Sequence, residues 1–425
     1  MKSHQQRWLC AVVTTIALTE TGIGDEFTRV WNLEDLSRTP GMKWIDSASP
    51  IRSLTYEGEA LAGQRTSVFA FYATPGTIKG DTSNDRNLPA VVLIHGGGGT
   101  AFADWVWLWA QRGYAAIAMD LSGRRPDAPV FENGKLVSNL RVKRTRLVDG
   151  GPEHGHPQKF DSVGGDIGDD WPYHAVASVV RAHSLIRSFA EVDPQRTAVT
   201  GISWGGYTTC LVAAVDHRFQ AAVPVYGCGF LYDGESVQRP AIDALDEARR
   251  ELWIRRYDPS SHLARCRVPI LFVNGTNDKH YPLRSYSRSF QLVPGPKQIR
   301  IQVRMGHSHP AGWQPAEIGL FIDSHVSDAA ALPILEVPQL KAGMASVTYQ
   351  ADVPLKSAAL HYTTSTGPLV GRSWNTVSAS FDEKTLTAPA VPDDATIWFV
   401  SATDQRGAMT STDVVFTNGD YSVSR

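Results

Sequence analysis

Short apolar runs rich in β-branched residues alternate with helix-like stretches through residues 68–326 of this 425-residue chain. These runs are the predicted strands, and they occupy residues 68–73, 90–94, 115–119, 197–200, 221–225, 269–273 and 299–303. Residues 172–189 carry apolar side chains at helical spacing, with Asp170 placed to cap the helix and Pro172 in its first turn. Strand–helix–strand units of this kind build a parallel sheet covered by helices on both faces. The alternation therefore predicts an α/β fold with a doubly wound, mostly parallel sheet.

The texture of the sequence changes near residue 330, where short alternating segments separated by turn residues begin. The strands predicted there occupy residues 346–349, 358–362, 376–381, 396–402 and 412–416. Strands at this spacing are typical of a small antiparallel sandwich of immunoglobulin or fibronectin type. We therefore predict one large domain at residues 25–330, followed by a C-terminal all-β sandwich module at residues 331–425.

The N-terminal residues have the pattern of a secretory signal. Lys2 and Arg7 precede an apolar run at residues 9–18, which is long enough for the h-region of a signal peptide and too short to span a bilayer. Residues 1–24 are therefore predicted to be a signal peptide of a periplasmic or secreted protein, and a frayed segment of a cytoplasmic protein is the alternative. No later stretch reaches the length of a membrane span, so none is expected.

Charge and cysteine spacing exclude some classes of partner. The chain has 41 Lys and Arg against 43 Asp and Glu, which is not the basic balance of a nucleic-acid-binding protein. Its basic cluster at residues 141–146 is expected to be a solvated loop face. Cys10, Cys210, Cys228 and Cys266 lack the close pairing of a zinc or redox site and are expected to fill core, with one disulfide among the last three left open.

The strongest chemical signal is a G-x-S-x-G motif at residues 201–205, which follows a predicted strand and precedes a helical pattern at residues 207–216. In a nucleophile elbow, the serine occupies a sharp turn between a strand and a helix, and its neighbours must be small for the two elements to approach. Gly201 and Gly205 meet that requirement. Ser203 is therefore predicted to be a nucleophile.

A serine hydroxyl needs a base that takes its proton and a third group that orients the base. Asp278 follows the predicted strand 269–273, and His307 follows the strand 299–303. The carboxyl ends of parallel strands meet at one edge of the sheet, and the order Ser, Asp, His is that of the α/β-hydrolase fold. We predict a triad of these residues, with helix capping by Asp278 and a basic role for His309 as the alternatives.

Backbone amides that stabilise a tetrahedral intermediate are predicted at two places. One is the amide of Trp204, directly after the nucleophile, and the other is the glycine run that follows the strand 90–94. Glycines let backbone amides approach a substrate without an intervening Cβ. The run lacks the G-K-[ST] ending of a phosphate loop. Gly97 and Gly98 are the predicted donors, and ordinary turn glycines are the alternative.

Residues 123–170, here called the insertion, break the alternation and are rich in glycine, proline and charge. A loop of this length within a compact domain is usually functional or disordered, so we expect the insertion to lie near the active site. His154 and His156 within it could suggest a pair of metal ligands, but no Cys or carboxylate stands at ligand spacing. A solvated loop without a metal is therefore expected here.

Several aromatic side chains stand near the predicted loops. Tyr226, Tyr281 and Trp313 are the candidates for stacking on a sugar ring of a substrate. Packing in the core is the alternative for each of them, because aromatic residues at strand ends usually fill core.

Four motifs together resemble bacterial acetyl xylan esterase-like hydrolases, within the dienelactone hydrolase and prolyl oligopeptidase clan. They are HGGGGT from residue 95, GISWGG from residue 201, GTND from residue 275 and MGH from residue 305. The resemblance covers residues 56–326 and implies an α/β-hydrolase with Ser203 as nucleophile, Asp278 as acid and His307 as base. It also implies ester hydrolysis without a metal or organic cofactor. One departure is Trp204, where the family usually has glutamine.

These observations favour a serine carboxylesterase that acts on short acyl esters, acetyl esters above all, of a small molecule or a polysaccharide such as xylan. A serine peptidase of the prolyl oligopeptidase type would use the same triad and is the first alternative. A glycan-binding protein with an inactive hydrolase domain is the second. The oligomeric state does not follow from the sequence.

Overall fold

The computed structural model describes residues 30–417. The signal peptide predicted at residues 1–24 and the thiol of Cys10 lie outside this range. Within residues 30–417, no helix combines the length and apolarity that crossing a bilayer requires.

The strands are numbered in chain order, and their bounds are β1 (Met42–Asp46), β2 (Arg52–Glu57), β3 (Ser67–Ala73), β4 (Leu88–Ile94), β5 (Ala115–Met119), β6 (Arg124–Pro126), β7 (Val130–Glu132), β8 (Lys135–Val137), β9 (Arg144–Arg146), β10 (Val192–Ile202), β11 (Ala221–Val225), β12 (Ile270–Gly275), β13 (Lys297–Gln302), β14 (Ile334–Leu335), β15 (Gln339–Lys341), β16 (Met344–Gln350), β17 (Leu355–Thr363), β18 (Asn375–Phe381), β19 (Thr385–Ala390), β20 (Ile397–Asp404), β21 (Met409–Ser411) and β22 (Val415–Phe416).

The α-helices of the described range are α1 (Leu33–Leu36), α2 (Pro75–Lys79), α3 (Ala103–Gln111), α4 (Trp171–Arg187), α5 (Trp204–Val215), α6 (Arg239–Asp243), α7 (Glu247–Tyr257), α8 (Leu283–Leu292), α9 (His309–Trp313) and α10 (Ala316–Val326).

The central sheet has the strand order β1-β2-β3-β5-β4-β10-β11-β12-β13. The six strands from β5 to β13 in this order run parallel, and β1 to β3 form an antiparallel edge. The middle strands are continuous apolar runs because helices cover both of their faces. The predicted doubly wound α/β fold is therefore confirmed, with β1 and β2 as additions that the sequence pattern did not reveal.

Two layers of helices flank this sheet. Helices α4 and α5 pack against each other and against β10, while α3 and α10 are joined by the ion pair of Arg112 with Asp323. The predicted helix at residues 172–189 is confirmed as α4, but its capping was predicted wrongly. Asp170 stands at the N-cap position without capping the helix, because its carboxylate accepts hydrogen bonds from the hydroxyls of Ser162 and Tyr257 instead.

The insertion is more ordered than its composition indicates. Two short antiparallel pairs, β6 with β9 and β7 with β8, precede a single π-helical turn at Pro157–Asp161. The basic cluster at residues 141–146 is largely exposed, as expected. Two of its guanidinium groups are nevertheless engaged, since Arg144 donates to the carbonyls of Gly98 and Gly99 and Arg146 donates to that of Ser122. These bonds tie the insertion to the body of the fold.

The C-terminal region is rich in strands and has two layers. One layer contains β15, β16 and β19, and the other contains β18, β17, β20, β21 and β22. Val347, Leu360, Leu386 and Val400 are buried between them. Of the strand predicted at residues 412–416, only residues 415–416 form a strand, β22, since β21 ends at Ser411, and β19 was not predicted. The division at residue 330 stays a prediction, because β21 pairs with β13 and so continues the central sheet.

The three cysteines of the described range are free thiols. Cys210, Cys228 and Cys266 are all buried, and burial raises the pKa of each. The expected role as small core residues is thus confirmed, and the disulfide left open by the sequence does not occur among them.

Candidate active site

Ser203 lies in the turn that joins β10 to α5. Its φ of 59° and ψ of −115° are unusual for a residue with a side chain. The turn is tight, because a Cβ on Gly205 would overlap the Ile94 carbonyl oxygen of the neighbouring strand. The Ser203 amide donates to the Val225 carbonyl oxygen at 2.8 Å, which fixes the turn against β11. This strand, turn and helix form the nucleophile elbow that the motif predicts.

The structure brings Asp278 and His307 to Ser203, as the strand order predicts. The Ser203 hydroxyl lies 3.0 Å from His307 Nε2, and His307 Nδ1 lies 2.6 Å from Asp278 Oδ2. Because a carboxylate only accepts hydrogen bonds, Nδ1 carries the proton and Nε2 is the acceptor for the hydroxyl. The three side chains therefore form a continuous chain of hydrogen bonds at the carboxyl ends of β10, β12 and β13.

The Asp278 carboxylate has a second set of partners. Its Oδ1 accepts the amides of His280 and Tyr281 at 2.7 and 3.0 Å. Helix α8 begins only at Leu283 with Pro282 at its N-cap, so Asp278 does not cap that helix. The carboxylate instead stabilises its own turn with one oxygen and orients His307 with the other.

The neighbouring Asn277 holds this turn to the C-terminal region. Its Nδ2 donates to the carbonyl oxygens of Leu369, Val370 and Arg372 at 3.2, 3.0 and 3.0 Å. The sequence did not mark Asn277 as a site residue, because its partners lie more than ninety positions away. It buttresses the loop that carries the carboxylate.

His309 takes no part in the hydrogen bonds that join Ser203, His307 and Asp278. Its Nε2 accepts the Gly96 amide at 3.0 Å, and its ring packs on Phe102 with centroids 4.7 Å apart. Burial lowers the pKa of His309 to about 3, so the ring is a neutral acceptor at physiological pH. His309 therefore supports the glycine loop (residues 95–99) and has no hydrogen bond to Ser203.

The glycine loop offers fewer free amides than the sequence predicts. The Gly98 amide donates to His154 Nε2 at 3.1 Å, so it is already engaged and the prediction of Gly98 as a donor is wrong. The amides of Gly97 and Trp204, in contrast, have no hydrogen-bond partner within residues 30–417. These two residues adjoin, since a Cβ on Gly97 would lie 2.9 Å from Trp204 Cδ1. Gly97 and Trp204 are the amides left to face a substrate oxygen.

His154 corrects the expectation of a solvated loop. Its ring accepts the Gly98 amide and also contacts Trp171 edge-to-face, with the centroids of the His154 and Trp171 rings 6.3 Å apart. Burial lowers the pKa of His154 to about 4. His156 is exposed and 3.6 Å from the Asp161 carboxylate, as expected of a loop residue. No group of three or more His, Cys, Asp or Glu within residues 30–417 is arranged to hold a metal ion.

The predicted sugar-stacking aromatics pack instead. Tyr226 and Tyr281 are fully buried, which leaves no ring face for a sugar, so the prediction for both is wrong. Tyr226 stacks on His307 with centroids 4.4 Å apart, and its hydroxyl donates to the Gly306 carbonyl. Trp313 is half-buried and stacks on Trp105 at 5.4 Å, in line with the core-packing alternative.

Known proteins resemble this chain in sequence and in structure. Residues 51–265 match the acetyl xylan esterase (AXE1) family, slightly more than half of the chain. An acetyl xylan esterase from Paenibacillus sp. R4 has a TM-score of 0.52 at 20% identity, covering 72% of this chain and 96% of that one. Acetyl xylan esterase 1 from Thermoanaerobacterium sp. JW/SL YS485 has a TM-score of 0.51 at 18% identity, covering 70% and 93%.

A curated relative has a different name. The chain is 25% identical over 280 residues to "Uncharacterized peptidase YuxL" of Bacillus subtilis (strain 168), which covers 59% of this chain. It spans only 36% of that relative's length. The structural likeness to the two esterases supports the fold, and the family match, which includes Ser203, supports the chemistry. The chain belongs to the acetyl xylan esterase (AXE1) family and has the α/β-hydrolase fold.

Proposed function

We propose that this enzyme hydrolyses short acyl esters, acetyl esters above all, through an acyl-enzyme formed on Ser203. The observation that carries the proposal is the chain of hydrogen bonds from Ser203 through His307 to Asp278, at 3.0 and 2.6 Å. A hydroxyl with a base on one side and an oriented carboxylate behind that base is an activated nucleophile.

Acylation follows from this arrangement. His307 Nε2 takes the hydroxyl proton as Ser203 Oγ attacks the ester carbonyl carbon, and the carboxylate of Asp278 stabilises the imidazolium. Negative charge then develops on the former carbonyl oxygen, where the free amides of Gly97 and Trp204 are placed to donate. His307 next gives its proton to the departing alcohol, and the acyl group remains on Ser203.

Deacylation repeats these steps with water. His307 takes a proton from a water molecule that attacks the acyl carbonyl, and it returns that proton to Ser203 Oγ as the acid leaves. The second nitrogen of the ring stays bonded to Asp278, so the ring keeps its orientation through both halves of the cycle. No other proton carrier is needed in this scheme.

The walls of the site favour a short acyl group. Trp204 fills the space beside the glycine loop, and the insertion contributes the polar side chains of His154 and Lys159 there. An apolar cavity of about 240 Å³ does exist between the insertion and α3, with Phe102, Leu136 and Val137 among its lining residues, but Ser203 and His307 do not line it. Acetylated polysaccharide would suit the export that we propose from residues 1–24.

A serine peptidase remains the second candidate, because a curated relative bears a peptidase name and peptidases of this clan use the same three residues. Amide and ester hydrolysis share the acyl-enzyme, so the difference between them lies in the leaving group that the site accepts. A direct comparison of the two bond types decides between them.

The test measures kcat/KM for acetyl, butyryl and octanoyl esters of one alcohol, together with acetylated xylan and a proline-containing peptide amide. A groove that held the octanoyl chain would gain roughly 5 kcal/mol over acetyl, at about 0.8 kcal/mol for each CH₂. We expect the reverse order, with acetyl highest. Highest efficiency on octanoyl would contradict the short-acyl proposal and point to the apolar cavity, and preference for the peptide would favour the peptidase. A fluorophosphonate label on Ser203 identifies the nucleophile in either case.

A further inference from the structure

Lys159 is a buried cation without an anionic partner. It lies on the π-helical turn of the insertion and is only 9% exposed. Within residues 30–417, its ammonium group takes part in no hydrogen bond and no ion pair, and its recorded contacts are with aromatic rings. The buried Arg300, in contrast, lies 3.0 Å from the Glu317 carboxylate, and Arg218 is paired with Asp216. Lys159 thus lacks the carboxylate partner that Arg300 and Arg218 have.

Two indole rings are the neighbours of the Lys159 ammonium group. Its Nζ lies 4.4 Å from the ring centroid of Trp204 and 5.2 Å from that of Trp171. Cation–π contacts offset part of the loss of hydration, but they satisfy none of the three N–H donors. Burying a charge remains unfavourable unless a partner is present. The ammonium group thus has unused capacity to bind an acceptor.

The backbone around Lys159 holds the side chain in this place. Its amide donates to the Gly155 carbonyl at 3.2 Å, and its own carbonyl accepts the indole N–H of Trp253 at 2.8 Å. Burial lowers the pKa of Lys159 to about 8, so the amine is mostly protonated at neutral pH. A fixed positive charge therefore faces Trp204.

This charge lies against the ring of Trp204, the residue whose amide is one of the two proposed donors to the substrate oxygen. Trp204 directly follows Ser203, and its ring edge adjoins Gly97. The ammonium group is also near enough to lower the pKa of His95 and of His154, although burial is the main cause for both. Each of these histidines hydrogen-bonds the glycine loop. A ligand that is bound at Ser203 thus lies within the field of Lys159.

We propose that the substrate is an ester that carries a carboxylate near the scissile bond, on its acyl or its alcohol portion, and that Lys159 binds this carboxylate. An acetylated uronate residue of a polysaccharide is one ester of this class. A single ammonium group matches the single charge of a carboxylate, which forms a charge-assisted hydrogen bond with it. This inference rests on the proposed ester hydrolysis at Ser203 and adds a specificity determinant to it.

Two matched pairs of esters separate the two sources of the carboxylate. The alcohol pair is a methyl glucuronoside and a methyl glucoside, each acetylated at the same ring hydroxyl. The acyl pair is the para-nitrophenyl monoester of adipic acid and para-nitrophenyl hexanoate. The readout is the ratio of kcat/KM for the charged ester to that for its neutral partner. Because both esters are measured on one preparation, the folded fraction of a variant cancels from this ratio.

We expect wild-type enzyme to prefer the charged member of at least one pair by about tenfold or more, as a desolvated ion pair permits. Lys159→Met should bring that ratio to about one and leave the neutral ester within about threefold of wild type, while Lys159→Arg should retain most of the preference. Lys143→Met, which removes an exposed lysine of the same insertion, is the matched control and should leave the ratio unchanged.

Four results would overturn the inference. The first is a wild-type ratio near one in both pairs. The second is an equal loss on charged and neutral esters in Lys159→Met, which would assign the ammonium group to the tetrahedral intermediate or to the fold. The third is a wild-type enzyme that hydrolyses none of the four esters, which would remove the proposed function and this inference with it. The fourth is activity on the neutral acetyl ester alone, which keeps the proposed function and rejects only the role of Lys159.

Discussion

Two regions meet at the active site, and they contribute in different ways. Ser203, Asp278 and His307 each follow a parallel strand of the central sheet, so the sheet itself brings them together. His154 and Lys159 come from the insertion, whose short β pairs and single π-helical turn are held by contacts with the glycine loop and with Trp253. The sheet thus supplies the proposed chemistry, and the insertion shapes what surrounds it. Substitutions in the two regions should therefore affect catalysis to different extents and at different steps.

The largest effects are expected where the sheet positions a reacting group. Ser203→Ala should lower kcat on an acetyl ester by about a million-fold, because the members of a triad act as a unit. Asp278→Asn should cost about ten-thousand-fold, because His307 would then hold the wrong tautomer. Steady-state and single-turnover rates measure both. A Ser203→Ala enzyme with near-normal activity would end the comparison at once, since the proposed nucleophile would lie elsewhere.

The two histidines after β13 sharpen the comparison within one loop. His307→Ala should be nearly as inactive as Ser203→Ala, since its ring joins the hydroxyl to Asp278. His309→Ala should lose roughly ten- to a hundredfold, because it leaves the Gly96 amide without its acceptor, a loss of about 1–3 kcal/mol. The measurement is kcat/KM of both variants on one acetyl ester. An active His307→Ala beside an inactive His309→Ala would reverse the assignment of the base.

The smallest of these effects is expected from the insertion. His154→Ala should lower kcat by about tenfold or less, because the Gly98 amide loses one hydrogen bond and the glycine loop gains freedom. His156→Ala is the matched control, since its side chain is exposed, and it should have wild-type kcat. If His154→Ala were as inactive as Ser203→Ala, the insertion would belong to the chemistry after all. If it were indistinguishable from His156→Ala, its bond to Gly98 would be without consequence.

The features of the site that could be predicted from the sequence are those positioned directly by the strands of the central sheet. The central strands, the nucleophile elbow and the meeting of Ser203, Asp278 and His307 could be predicted, because each depends on a local pattern and on the order of the strands. The edge strands β1 and β2 were missed, since their sequences mix charged and apolar residues without a clear period. The central strands alone were therefore enough to predict the fold class.

The rest of the site depends on contacts between distant residues. The sequence around Gly98 does not indicate that its amide donates to His154, because that residue lies 56 positions away. Tyr226 and Tyr281 follow strands near the predicted site, as ligand-facing aromatic residues often do, and only their complete burial excludes stacking on a sugar. Lys159 was not singled out, because a lysine in a charged, irregular segment is ordinarily exposed. Burial and long-range pairing are the properties that a single sequence does not display.

The pairing of β13 with β21 affects whether the edge of the central sheet can associate with another copy of the chain. Ile299 stands opposite Ser411 in that ladder, and the Ile301 amide donates to the Ser411 hydroxyl at 3.1 Å. The last strand of the parallel sheet is thereby covered at this edge, where bare N–H and C=O groups would otherwise form a template for pairing with another copy. A shortened enzyme that ended at residue 330 would expose this strand. By covering β13, the C-terminal region therefore removes one edge at which two copies of the chain could pair.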